Sequence, residues 1–299
     1  MRTVMRRRWH TSLELTASLC VHATDSLRRV SDAVFVPQGD LLIPQPSAIG
    51  PWFPGVQHGG AIAGVFARAI ERVSSAVPMT TTRLSIDMSR RVPMGPTRVD
   101  TEVVRDGKRI QAIEARYMVH DELVGRATAM RVRISEGLSV PNPVLPEDHI
   151  PSDPDTHPVI TWTFAGTVDF AASFDFRRSE DDDGRVTGWM KMEKPFVEGE
   201  SNDPRVLIAA VADMIPSGGS VLDYERMISI NADLVISLHR PPEGDWLGFT
   251  AAVRGEGNGY GQADATLFDH RGRVGRALLQ ACDGGHGRDL HLCVQPKAR

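Results

Sequence analysis

Apolar residues return at helical spacing in two places and at every second position through most of the rest of the chain. Ile62, Val65, Phe66, Ala69, Ile70 and Val73 keep the first helical rhythm, with Arg68, Glu71 and Arg72 on the other face. His58-Gly59-Gly60 opens that helix and Pro78 marks its end. Val206, Leu207, Ala210, Val211 and Met214 keep the second. There Asn202-Asp203-Pro204 supplies an N-cap acid or amide and a proline in the first turn, and Pro216 with Gly218-Gly219 stops the helix. Alternating segments at 81–92, 98–104, 110–119 and 124–134 follow the first helix, and segments at 227–239, 246–254, 261–268 and 274–281 follow the second. Segment 34–56 precedes the first helix as short strands broken by Pro and Gly. Segments 168–176 and 186–192 precede the second, around the acidic turn 181–184. The order is the same twice: strands, one long helix, then an antiparallel meander. This is an α+β pattern in which each half buries one helix against a curved antiparallel sheet.

The two halves also share sequence. Val124-Gly125-Arg126-Ala127 recurs as Val274-Gly275-Arg276-Ala277, 150 positions on. Ser85-Ile86-Asp87 lines up with Asn231-Ala232-Asp233 at an offset of 146, which also carries Ala67 onto Asp213. In this register the second half shows Asp213, Asn231 and Gln280 where the first shows Ala67, Ser85 and Met130. One half therefore holds an acid and two amides that the other lacks. The predicted organisation is a flexible leader over 1–30, a first repeat over 31–136, a proline-rich linker over 137–159, a second repeat over 160–287 and a tail over 288–299.

Composition narrows the class. The 299 residues are 41% hydrophobic and 24% charged, in the range of a globular protein, and the net charge of −4 gives no basic field for nucleic acid. No apolar run is long enough to span a membrane. Arg6-Arg7-Arg8 precedes a partly apolar stretch, but Glu14 and His22 break it, so no secretory signal is expected. Three cysteines, Cys20, Cys282 and Cys293, form no even framework, which fits a reducing, cytoplasmic compartment. His286 and His291 beside Cys282 and Cys293 lack zinc-ligand spacing, so no metal site is expected. Gly255, Gly257, Gly259 and Gly261 lack the strand–turn–helix setting of a dinucleotide loop and read as a turn. Arg90-Arg91 and Arg6-Arg8 read as solvated charge rather than as phosphate grips.

The stretches Gly55-Val56-Gln57-His58-Gly59-Gly60, Ala210-Val211-Ala212-Asp213, 231–247 and Gly275-Arg276-Ala277-Leu278-Leu279-Gln280, in this order and spacing, resemble the acyl-CoA thioesterase II (TesB-like) family. The resemblance covers about 34–136 and 160–287. It implies a double hotdog fold of two tandem repeats, an acyl-CoA substrate, and no metal or bound cofactor. It also implies a site in which Asp213, Asn231 and Gln280 hold the attacking water, with Asn231 where the family usually carries a hydroxyl. The Gly-rich stretch with Gly259, Tyr260 and Gly261 falls near the coenzyme A entrance in that family, so these three join His58, Gly59 and Gly60 as candidate substrate contacts.

The chemistry suits these types. A carboxylate takes a proton from water, amides orient both, and backbone N–H groups at a glycine-rich helix start receive the developing oxyanion. Gly59 and Gly60 of the first repeat would then serve the acid of the second. Two alternatives are a non-catalytic acyl-CoA or acyl-chain binder and a hotdog enoyl-CoA hydratase, for which no Asp and His at suitable spacing is found. A homodimer or larger homo-oligomer is expected, since hotdog sheets join edge to edge.

Overall fold

The computed structural model describes residues 31–135, 137–138, 153–161, 170–182, 184–218 and 227–285. The leader expected over 1–30, the tail over 288–299 and most of the linker lie outside these residues, as do Cys20, Cys293, His286 and His291. The first half runs β1 (Phe35–Gln38), β2 (Leu41–Pro44), α1 (Gly59–Glu71), β3 (Met79–Asp87), β4 (Thr97–Asp106), β5 (Ile110–Val119) and β6 (Glu122–Arg133). The second runs β7 (Phe174–Glu180), β8 (Val186–Met192), α2 (Pro204–Asp213), the single turn α3 (Ile215–Gly218), β9 (Met227–Asn231), β10 (Asp233–Leu238), β11 (Trp246–Gly255), β12 (Tyr260–Asp269) and β13 (Gly272–Gly285).

All thirteen described strands join one antiparallel sheet, ordered β1-β2-β4-β5-β6-β3-β10-β13-β12-β11-β8-β7, with β9 paired to β13. Read from the middle outward, the order is the same in both directions. The middle is the β3–β10 ladder, where Ser85 stands opposite Val235 and Leu84 opposite Ile236. The helices pack on the sheet and on each other, and one continuous apolar core runs through both halves. α2 is buried on every side from Val206 to Asp213, so it has no polar face to show.

The ladders refine the repeat. Ile86 pairs with Ala127 and Ile236 with Ala277; Thr81 pairs with Arg131 and Asn231 with Ala281. For the strands that follow each helix the equivalence is therefore 150, and the 146 register between Ser85 and Asn231 is corrected: the counterpart of Asn231 is Thr81. The helices keep 146. Both long strands are interrupted at matching places, Thr82 in β3 and Ala232 between β9 and β10.

Two strand boundaries also differ from expectation. β3 ends at Asp87, and 88–92 leaves the sheet instead of extending it. β7 begins at Phe174, after a 3-10 turn over Ala171–Ser173. Upstream, the Pro158 carbonyl already accepts the Arg178 N–H and Val159 bridges to Arg177, so the chain rejoins the sheet before the expected end of the linker.

Beyond β10 the chain is fastened by a buried ion pair. Asp269 is fully buried and accepts Arg240 through both carboxylate oxygens at 2.6 Å, as well as the N–H groups of Glu243 and Arg271. Burial pushes the Asp269 carboxyl up, but Arg240 and the two backbone donors outweigh it and hold the group below the ordinary carboxyl range. The resulting stabilisation is complete above the unfolded value, about 3.9. It is lost as pH falls through the folded value. Asp269→Asn leaves the half-buried Arg240 without its counter-charge, and is expected to cost about 1.5–3 kcal/mol at pH 7. Urea unfolding at pH 7 and pH 3 checks this: the gap from wild type should narrow in acid.

Candidate active site

Asp213 is the last residue of α2 and is 3% exposed. A carboxylate there sits at the negative end of its own helix, an unfavourable place for an anion. The compensation comes from the other half. The N-terminus of α1 points at the same carboxylate, and its first residue lies so close that a Cβ on Gly59 would fall 2.5 Å from Asp213 Oδ1. Gly60 is equally tight: a Cβ there would lie 2.7 Å from Phe170 and 2.9 Å from the Ala210 carbonyl. Only residues without a side chain let the two helix ends meet at this distance.

Asn231, the last residue of β9, fixes the carboxylate. Its Nδ2 donates to Asp213 Oδ1 at 2.6 Å and to the Asp213 backbone carbonyl at 2.7 Å. The same amide thus orients the acid and satisfies a carbonyl at the helix end. On the other oxygen, His58 Nδ1 lies 3.2 Å from Asp213 Oδ2. His58 is also the N-cap of α1, its Nδ1 accepting the Gly60 N–H at 2.9 Å. One ring nitrogen faces both a donor and a carboxylate, so a proton on Nδ1 serves the acid and its absence serves the helix. The preceding Gln57 is buried and held by Pro93, Thr97 and the Tyr117 hydroxyl. Burial pushes the Tyr117 phenol well above its ordinary range, so it stays a neutral donor.

Asp213, His58, Gly59 and Asn231 line one cavity of about 150 Å³. Such a space takes a benzene-sized group. It opens where β3 ends and β9 carries on. One wall is 88–92, the facing wall is Ser229 to Ala232, and Trp52, Phe53, Val56 and Ile62 supply apolar surface.

Gln280 is not part of this cluster. On β13 its neighbours Leu279 and Ala281 are buried in the core, and Asn231 stands opposite Ala281. Strand alternation turns Gln280 away from the face that Ala281 shares with Asn231, and Gln280 does not line the cavity. Its backbone is what the fold uses, donating N–H to Asp233 Oδ1 and accepting the Ala232 N–H. Gly60 abuts the site without lining the cavity. Gly259, Tyr260 and Gly261 belong to the β11–β12 hairpin and do not line it; Tyr260 is 61% exposed and stands opposite Cys282, which does. Reading the sequence passed over Trp52, Phe53 and Ser229, which line the cavity, and took Arg90 and Arg91, which line it too, as solvated charge.

The corresponding place in the other half is closed. Ala67 replaces Asp213, Thr81 replaces Asn231, and Arg205 stands where Gly59 would. Arg205 reaches Glu71 at 3.1 Å, and Thr81 donates to the same carboxylate at 2.5 Å. What remains is about 20 Å³, room for roughly one water.

Residues 48–132 match the model of an acyl-CoA thioesterase N-terminal domain, and residues 145–278 match that of an acyl-CoA thioesterase C-terminal domain. The chain belongs to the acyl-CoA thioesterase II family. No curated protein matches this family member. Among solved structures, a candidate thioesterase II from Thermobifida fusca is 17% identical, with a TM-score of 0.67 over 86% of this chain and 97% of its own. A protein from Alicyclobacillus acidocaldarius described as having a hot dog fold is 15% identical, with a TM-score of 0.63 over 87% and 97%. The acyl-CoA thioesterase II TesB2 of Mycobacterium marinum is 18% identical, with a TM-score of 0.56 over 76% and 90%. At these identities the likeness is one of fold. Among the described residues of this thioesterase-family chain, no helix is long and apolar enough to cross a membrane.

The contact between Gly59 and Asp213 yields a direct test. Gly59→Ala is expected to destabilise the fold by about 1–3 kcal/mol by overpacking. Asp213→Gly in the same chain should recover most of that loss, a coupling read from a double-mutant cycle of urea midpoints.

Proposed function

We propose that this chain is a double hotdog acyl-CoA thioesterase that hydrolyses acyl-CoA to a carboxylic acid and coenzyme A at the Asp213 cavity. The observation that carries the reading is a buried carboxylate, oriented by an amide from its own half and met by a glycine-rich helix N-terminus from the other. Asn231 holds Oδ1 and leaves Oδ2 to take a proton from the attacking water. The carbonyl oxygen becomes anionic as the C–O bond to water forms. The Gly59 N–H, at the positive end of α1, receives it. Collapse of the tetrahedral intermediate breaks the C–S bond, and the departing thiolate takes the proton from Asp213. Gln280 has no step in this scheme.

The proximity of His58 to Asp213 favours one second reading, water addition to an enoyl-CoA, with one group removing a proton from water and the other delivering one to C2. The His and Asp sought along the sequence come from different halves, which is why no linear spacing revealed them.

The deciding experiment measures free-thiol release and loss of enoyl absorbance across acyl-CoA and enoyl-CoA esters, for wild type and Asp213→Ala. Thiol release that falls by about 10²–10⁴-fold in the variant is expected. Loss of enoyl absorbance without thiol release would establish the hydratase. Binding without either reaction would make the chain an acyl-CoA binding protein.

A further inference from the structure

The mouth of the cavity carries two arginines that hydrolysis itself does not use. Arg90 and Arg91 lie where the chain leaves β3, and they line the cavity beside Trp52 and Phe53. The guanidinium carbon of Arg91 sits 3.5 Å from the centre of the Phe53 ring. Stacking fixes the plane of that group and leaves its edge donors available. Neither arginine has an acidic partner among the described residues.

The repeat shows that this is not a general property of the position. Under the 150 equivalence the counterpart of Arg90 is Arg240, which is neutralised by the buried Asp269. The counterpart of Asp269 is Val119, also buried. The same arginine is therefore fastened to a carboxylate beside the closed site and left without one beside the open site. In a chain with a net charge of −4, two adjacent uncompensated cations at a cavity mouth form a local reversal of sign. Paired guanidinium groups with free edges suit phosphate oxygens, which they can meet with two parallel N–H bonds each.

We propose that Arg90 and Arg91 bind the phosphate groups of the coenzyme A portion of the substrate, with Phe53 holding Arg91 in place, so that the thioester at the other end of the arm descends to Asp213. The proposal rests on the thioesterase reading. It makes the chain selective for the free coenzyme A ester over the same acyl thioester on a carrier without phosphates.

The test compares butyryl-CoA with the butyryl thioester of N-acetylcysteamine, which has the same reacting bond and no phosphate, in wild type and in Arg90→Gln/Arg91→Gln. The ratio of kcat/KM for the coenzyme A ester to that for the small ester should fall by about tenfold or more in the variant, through KM. An unchanged ratio overturns the proposal. Calorimetry with coenzyme A alone gives an answer independent of turnover: its Kd should weaken by about tenfold or more in the variant, and an unchanged Kd, or no binding by wild type, overturns the proposal. If wild type hydrolyses neither ester, the thioesterase reading fails while the coenzyme A titration still decides whether the arginines bind phosphate. Both substitutions are at exposed residues, and matching unfolding midpoints confirm that the fold is retained.

Discussion

Two helix ends meet in this molecule through residues that have no side chain. α1 presents its positive end and α2 its negative end, and the favourable pairing of those dipoles is available only because Gly59 and Gly60 let the backbones close up. Everything at the site follows from that approach. It buries Asp213 against the N-terminus of α1, and it brings His58 to one oxygen while Asn231 holds the other. In the opposite half Arg205 stands in the position of Gly59, and the corresponding space closes to about the volume of one water.

The sheet depends on a second constraint, the antiparallel ladder between β3 and β10. Because Ser85 stands opposite its own repeat counterpart Val235, the two halves are related about that pair. Each half leaves this ladder at its far end, the first after Asp87 beside β9 and the second after Leu238 beside the start of β3. The cavity lies in the first gap, whereas Arg205 and Glu71 take up the second.

Much of the architecture could be read from the chain. Helical spacing located both helices, Asp203-Pro204 marked the start of α2, and the Val-Gly-Arg-Ala repeat gave the strand equivalence. Asp213 and Asn231 stood out because the first half lacks them. The failures share a cause. Sequence spacing does not report which face of a strand a residue occupies, so Gln280 looked like a third member although Leu279 and Ala281 take the core positions on either side of it. The length of β3 was overestimated because the alternation of 81–92 continues past Asp87 while the chain itself turns away from the sheet there. His58 and Asp213 are far apart in sequence, and only the crossing of the helices makes them neighbours.

The division of the site between the halves bears on how such a chain can change. In an assembly of two identical subunits, every substitution is made twice, so a residue that plugs one cleft plugs both. Joining the halves in one polypeptide removes that coupling. Arg205 can fill one crevice while Gly59 keeps the other open, and Arg240 can be tied to Asp269 while Arg90 is left untied. The fused chain keeps the fold of a symmetric pair without its obligation to be alike on both sides, and the two walls of the Asp213 cavity can vary separately.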